Sequence, residues 1–294
     1  MTSAIIAFPE CSAPAARLAD ALGIPLHEVS LRRFPDGESL VRVAPAPHTA
    51  LLYRSLDRPN EKIVELLLAA AALRDAGAER LVLVVPYLAY MRQDAAFHDG
   101  EAVSQRIVGK LLAAACDALI TIDPHLHRIA SLAEVMPGIE AVSISAAPAL
   151  SAALDRACDP LLVGPDEESR QWVEAVAAPG GLEFLLGGKR RRGDRDVELE
   201  IPHVGRAAGR HVVLVDDLIS SGATLKAAAR LLRSAGARSI GVLATHCLAS
   251  EPDIAQLRAE GIATIRATDT TASGLADVPT AEVLAQEIRR RGWC

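Results

Sequence analysis

Residues 212–224 read Val-Val-Leu-Val-Asp-Asp-Leu-Ile-Ser-Ser-Gly-Ala-Thr, an apolar run that delivers two adjacent carboxylates, Asp216 and Asp217, to a small loop rich in hydroxyls. The helical pattern of residues 225–235 follows directly. Unpaired backbone N–H groups at its start therefore face whatever rests over Ser220, Ser221, Gly222, Ala223 and Thr224. Those groups suit the phosphate of a sugar 5-phosphate. Asp216 and Asp217 cannot bind that phosphate themselves, since like charges repel, but they can accept hydrogen bonds from vicinal ribose hydroxyls or hold a hydrated Mg2+. A plain turn also favours Asp, Ser and Gly. It does not require an Asp pair, a Ser pair and a helix start in this order.

Other clusters carry chemistry of their own. An apolar strand over residues 84–86 runs into Tyr87 and then presents Arg92, Gln93 and Asp94, a trio able to recognise a nucleotide. Phe34-Pro35-Asp36-Gly37-Glu38 reads as an Asp-Gly turn between two strands. Lys189, Arg190, Arg191, Arg192 and Arg195 form a dense basic run in an acidic chain; lying between two expected strands, it reads as a loop. His125 and Asp166 each follow an expected strand.

The elements that position these groups alternate. Short β-branched runs are expected as strands at 4–8, 51–55, 80–86, 118–122 and 139–142, with helices at 13–22, 62–76 and 104–116. The second half repeats the pattern: a helix over 146–158, strands at 160–163, 183–186, 211–215, 240–246 and 262–267, and helices at 168–177, 225–236 and 279–291. This alternation is the signature of mainly parallel sheets flanked by helices. The expected organisation is two similar α/β domains, residues 1–145 and 146–294, facing one cleft. The last helix is amphipathic through Val283, Leu284 and Ile288 and packs on its own core, on the first domain or on a partner.

A length of 294 residues suits two domains of ordinary size. The net charge of −6 argues against nucleic acid as a partner and requires local basic groups to capture any anionic substrate. Five scattered cysteines without a Cys-x-x-Cys pair exclude a disulfide framework and a zinc knuckle, which points to the cytoplasm. No apolar stretch is long enough to span a membrane, and the first residues do not read as an export signal.

With these segments in order along the chain, the sequence resembles the ribose-phosphate diphosphokinase family, also called phosphoribosyl diphosphate synthetases. The resemblance covers almost the whole length. It is carried by Phe34 to Glu38, Arg58-Pro59-Asn60, Arg92-Gln93-Asp94, Gly100-Glu101-Ala102-Val103-Ser104, Asp123-Pro124-His125, Gly164-Pro165-Asp166, Lys189-Arg190-Arg191, the Asp216–Thr224 loop, Ala244-Thr245-His246 and Thr268-Asp269-Thr270.

The resemblance implies two phosphoribosyltransferase-type domains and transfer of the β,γ-diphosphoryl group of ATP to the anomeric hydroxyl of ribose 5-phosphate, giving phosphoribosyl diphosphate and AMP. It implies Lys189 and Arg191 as catalytic cations, and Phe34, Asp36, Glu38, Arg92, Gln93 and Asp94 as the ATP side. Asp216 to Thr224 is then the ribose 5-phosphate side, and His125 and Asp166 bear on Mg2+. It further implies a homo-oligomer, dimer or hexamer, in which the Phe34 to Glu38 hairpin serves a neighbouring subunit's ATP site.

Two related readings stand beside this one: a phosphoribosyltransferase that consumes phosphoribosyl diphosphate, and a non-catalytic paralogue of the synthetase. The chain also departs from the family pattern. Glu167 and Glu168 follow Asp166 where two glycines are usual, Pro124 replaces Leu, Ala95 replaces a basic residue, and the phosphate loop ends Gly-Ala-Thr. The short, charged segment after Lys189 implies nothing about allosteric control.

Overall fold

The computed structural model describes residues 2–126, 128–191 and 197–294, and the chain divides into two compact units. Unit 1 holds residues 1–145, 270–272 and 279–294; unit 2 holds 146–269 and 273–278.

In unit 1 the chain runs β1 (Ser3–Ala7), α1 (Ser12–Leu22), β2 (Leu26–Glu28), β3 (Ser30–Arg33), β4 (Ser39–Arg42), β5 (Thr49–Tyr53), α2 (Pro59–Asp75), β6 (Arg80–Val84), α3 (Ser104–Ala113), β7 (Ala118–Ile122) and β8 (Glu140–Ile144). Six strands form one parallel sheet in the order β2-β1-β5-β6-β7-β8. Covered on both faces, they are continuous apolar runs: Ile5, Ile6, Leu51, Leu52 and Leu81 through Val84 are fully buried. β3 and β4 stand apart as an antiparallel hairpin in which Arg33 opposes Ser39.

Unit 2 contains α4 (Ala147–Ala152), β9 (Leu161–Gly164), α5 (Arg170–Ala177), β10 (Phe184–Leu186), β11 (Gly188–Arg191), β12 (Val197–Glu200), β13 (His211–Ile219), α6 (Ala223–Ser234), β14 (Ser239–Cys247), α7 (Glu251–Ala259), β15 (Ile262–Thr268) and β16 (Ala276–Val278). Its parallel sheet has the order β10-β9-β13-β14-β15-β16. The final helix, α8 (Ala281–Arg290), belongs to unit 1 and packs on α1. Beyond it Trp293 is buried, and its Nε1 donates to Glu140 Oε2 at 3.2 Å.

The mainly parallel sheets flanked by helices are those expected from the alternation of patterns. Several segments differ. The basic run expected as a loop begins as strand β11, paired with β12 from Gly188↔Glu200 to Arg191↔Val197. The ladder uses main-chain groups only, so charged side chains do not oppose it. Residues 192–196 lie outside the described set, as do the side chains of Lys189 and Arg191. The strand expected to end at Val215 continues to Ile219, because Asp216, Leu218 and Ile219 pair with Ala244, His246 and Cys247 of β14. The helix expected over 146–158 closes at Ala152. Strands β2 and β16 and helix α7 had no counterpart in the pattern reading. Among the described residues no helix is long and apolar enough to cross a membrane.

Candidate active site

In unit 2, β13 carries Asp216 and Asp217 inside its last turns of pleat rather than after its end. Asp217 is buried, Asp216 half-buried, and the Asp217 N–H donates to Asp216 Oδ1 at 3.0 Å. Burial, followed by the negative charges of Asp217 and Asp166, drives the Asp216 carboxyl well above its ordinary value. Two neighbouring negative charges thus oppose ionisation of Asp216. Such crowding is relieved by a hard cation or by hydroxyl donors.

Helix α6 starts two residues after the exposed Ser220–Ser221 pair, with Gly222 as N-cap and no side chain capping it. Gly222 has φ +69°, and a Cβ there would lie 2.9 Å from Leu257 Cδ2 on α7. Only glycine meets both conditions. Ala223 and Thr224 already belong to the first turn, so the positive end of the helix dipole lies directly after the hydroxyl pair.

Asp166 follows β9 and caps a short 3-10 turn, its Oδ1 accepting from the N–H groups of Glu168 at 3.1 Å and Ser169 at 3.3 Å. The residues in place of the usual glycines therefore form a tight turn fastened by Asp166 itself. Lys189 and Arg191 lie on β11 opposite Leu199 and Val197. A half-open cavity of about 300 Å³, lined in part by His211, Val213, Ser239 and Thr264, opens at the start of β13 and β14, away from the carboxylates.

In unit 1, Arg92 is exposed, and half-buried Gln93 donates through Nε2 to Ala95 O at 3.3 Å. Asp94 is buried and accepts from Arg128 Nη1 at 2.5 Å. Arg128, three residues beyond His125, escaped sequence reasoning; its only signal was a cation close to that histidine. Its guanidinium also faces the exposed Phe97 ring at 5.7 Å. His125 is half-buried after β7. Left-handed backbone at Tyr90 and Asp123, two residues before Arg92 and His125 respectively, borders these segments. Strain of this kind costs on the order of 1–3 kcal/mol each and concentrates at functional sites.

The turn at 34–38 is closed by Phe34 N–H donating to Glu38 O at 2.8 Å, with Glu38 N–H donating to Asp36 Oδ1 at 3.1 Å. Phe34 is half-buried, with Arg32 over its ring at 5.2 Å, while Asp36 and Glu38 are exposed. Among the described residues no three His, Cys, Asp or Glu side chains converge as a metal-binding group.

Comparison with known proteins adds a second line of observation. Residues 3–116 match the model of the N-terminal domain of ribose phosphate pyrophosphokinase, and residues 137–258 match the phosphoribosyl transferase domain. The chain is 38% identical to a ribose-phosphate pyrophosphokinase of Methanopyrus kandleri over 92% of this chain and 94% of that one. It is 34% identical to ribose-phosphate pyrophosphokinase 2 of Archaeoglobus fulgidus, covering 97% and 99%. Its fold is similar to the crystal structure of phosphoribosylpyrophosphate synthetase from Mycobacterium smegmatis, with a TM-score of 0.83, 25% identity and 99% of both chains covered.

Proposed function

The chain belongs to the ribose-phosphate pyrophosphokinase family, and we propose from that premise how its residues divide one reaction. The anomeric hydroxyl oxygen of ribose 5-phosphate bonds to the β-phosphorus of ATP. The bridge from that phosphorus to the α-phosphate breaks, AMP leaves with the bridging oxygen, and the hydroxyl proton is released to solvent water. Transfer of this kind needs positioning and charge neutralisation more than covalent help.

The pentose belongs to β13 and α6. Asp216 and Asp217 accept from the ribose 2- and 3-hydroxyls, while Ser220, Ser221, Thr224 and the first N–H groups of α6 hold the 5-phosphate. The nucleotide belongs to unit 1, where Arg92 and Gln93 contact it and Asp94, paired with Arg128, holds their segment. Phe34, Asp36 and Glu38 present a stacking face and two acceptors to adenosine. Lys189 and Arg191 are the cations that stabilise charge on the transferring group.

Kinase-type chemistry of this family calls for a divalent metal, and we take it to be Mg2+. Mg2+ is held by one or two carboxylates together with substrate phosphates and water, so a full protein cage is not required. The donors of unit 2 fit it, since Asp166 offers a hard carboxylate and the crowding that raises Asp216 is relieved by a cation; in unit 1 His125 would act through a coordinated water. When bound, the metal neutralises the triphosphate.

Self-association accompanies this reading. Leu40 on β4 and Val64 and Leu68 on α2, elements that pack on each other, are exposed by 46%, 56% and 42%. That apolar strip beside the hairpin is the surface on which a second copy seats. The cytoplasm is the setting, consistent with five free cysteines.

What supports the reading most is the Asp216–Asp217 pair set directly before an uncapped helix start. Incubation with ATP, Mg2+ and ribose 5-phosphate is expected to release AMP in step with phosphoribosyl diphosphate, and chelation to stop it. Absence of AMP, with consumption of phosphoribosyl diphosphate in the presence of a purine or pyrimidine base, would identify a transferase instead.

A further inference from the structure

Glu65, in the middle of α2, is 1% exposed and accepts at both carboxylate oxygens. Oε1 takes Arg33 Nε at 3.0 Å and Ser39 Oγ at 2.9 Å. Those two donors are the last residue of β3 and the first of β4, facing each other across the hairpin immediately below the 34–38 turn. Oε2 takes Arg54 Nη2 at 2.6 Å. Arg54 is equally buried: its Nε donates to Glu10 Oε1 at 2.8 Å, its Nη1 to Lys62 O at 3.1 Å, and its guanidinium lies 3.6 Å from the centre of the Phe8 ring. Arg33 also reaches Glu61 one turn earlier on α2, at 2.9 Å.

This hairpin is a sheet of only two strands, separate from the six-stranded sheet, and most of its side chains are exposed. An isolated hairpin of this size is marginal in water. Its orientation must therefore come from what fastens it. One carboxylate holds both legs at once, and the rigid Arg54 holds the carboxylate.

We propose that Glu65 is a positioning residue for nucleotide binding: anchored by Arg54, it clamps Arg33 and Ser39 so that Phe34, Asp36 and Glu38 are presented to the nucleotide in one orientation. The proposal rests on the reading of residues 34–38 as part of the ATP site. The chemistry demands a carboxylate. A glutamine offers one oxygen, and its NH2 would oppose the N–H groups of either Arg33 or Arg54.

Glu65→Gln also leaves the buried Arg54 charge underpaired and strikes the fold, so the test is made on the hairpin side. Arg33→Met and Ser39→Ala, made singly, each leave one donor on Oε1 and the whole Arg54 side intact. Amide hydrogen exchange of residues 30–42 is expected to speed up about tenfold in each, with α2 unchanged. KM for ATP is expected to rise about five- to tenfold, while kcat and KM for ribose 5-phosphate stay within about twofold. Arg33→Lys, which keeps one charged donor, recovers part of the loss.

Phe34→Ala separates the two ideas. If it leaves KM for ATP unchanged, the reading of the hairpin as part of the ATP site fails, and the positioning role fails with it. If it raises that KM while Arg33→Met and Ser39→Ala leave both exchange and KM at the parent values, the hairpin reading stands and the clamp is overturned.

Discussion

Arg128 donates to Asp94 at 2.5 Å, fastening the loop that follows β7 and carries His125 to the segment that carries Arg92 and Gln93. Asp94 is buried, and its Oδ2 has no hydrogen-bond partner among the described residues, so Arg128 is the one cation that offsets this carboxylate there. Arg128→Ala is expected to lower unfolding free energy by about 1–3 kcal/mol, the cost of a buried acceptor left without its donor. It should also raise KM for ATP. Arg128→Lys should recover most of the stability in urea titrations. A variant as stable as the parent would show that water replaces the guanidinium.

Asp216 gives a prediction with opposite signs for stability and activity. Its folded carboxyl lies above the unfolded value, so the folded state binds a proton that the unfolded state has released. Stability therefore falls as pH rises from the ordinary carboxylate range through the raised folded value, and at neutral pH the charge is a burden. Asp216→Asn keeps an oxygen for the Asp217 N–H and removes that burden. The ligand-free variant is expected to melt about 2–4 °C higher at pH 7, a shift worth about 1 kcal/mol, and to lose that advantage near pH 4. Turnover should drop about a hundredfold or more through loss of the charged acceptor.

Gly222→Ala joins two penalties at the phosphate loop. The new Cβ would crowd Leu257, and a left-handed φ strains any residue with a side chain. The expected cost is about 1–2 kcal/mol of stability and a rise of about tenfold in KM for ribose 5-phosphate, with KM for ATP nearly unchanged. Calorimetry and steady-state kinetics check both.

How much of this was legible depended on how local the cause was. The runs around Leu51 and Leu83 read as strands because both of their faces are covered, and that leaves a continuous apolar imprint. The helix start after Ser220 and Ser221 was legible because its parts act on their immediate neighbours, whereas the continuation of β13 through Asp216 to Ile219 depends on pairing with β14. Helix α7 was missed because only Leu257 is buried on it; its one signal was the capping box of Ser250 and Asp253, whose side chains each accept from the other's backbone N–H. β11 was missed because its partners are main-chain groups on β12. Glu65 and Arg54 looked like ordinary charged residues, since their burial comes from pairing with each other and with a distant hairpin.

The strip of Leu40, Val64 and Leu68 predicts an assembly-dependent activity. Val64 and Leu68 are four apart on α2 and share a face. Val64→Glu with Leu68→Glu puts charge on that face without touching the core. Sedimentation should show a smaller particle than the parent, with KM for ATP raised because the neighbour's hairpin is lost. An unchanged particle size would place the subunit contact elsewhere.

Lys189 tests the division of labour between binding and chemistry. It lies on β11, whose register with β12 is held by main-chain bonds, so Lys189→Ala leaves the ladder intact. A cation that acts on charge developing during transfer contributes little to the ground state, and its loss appears in kcat rather than in substrate affinity. Lys189→Ala is therefore expected to cut kcat by about a thousandfold, with ribose 5-phosphate affinity by calorimetry within about threefold of the parent. If affinity fell as steeply as turnover, Lys189 would be a ground-state ligand of the phosphates, and the transition-state role would pass to Arg191.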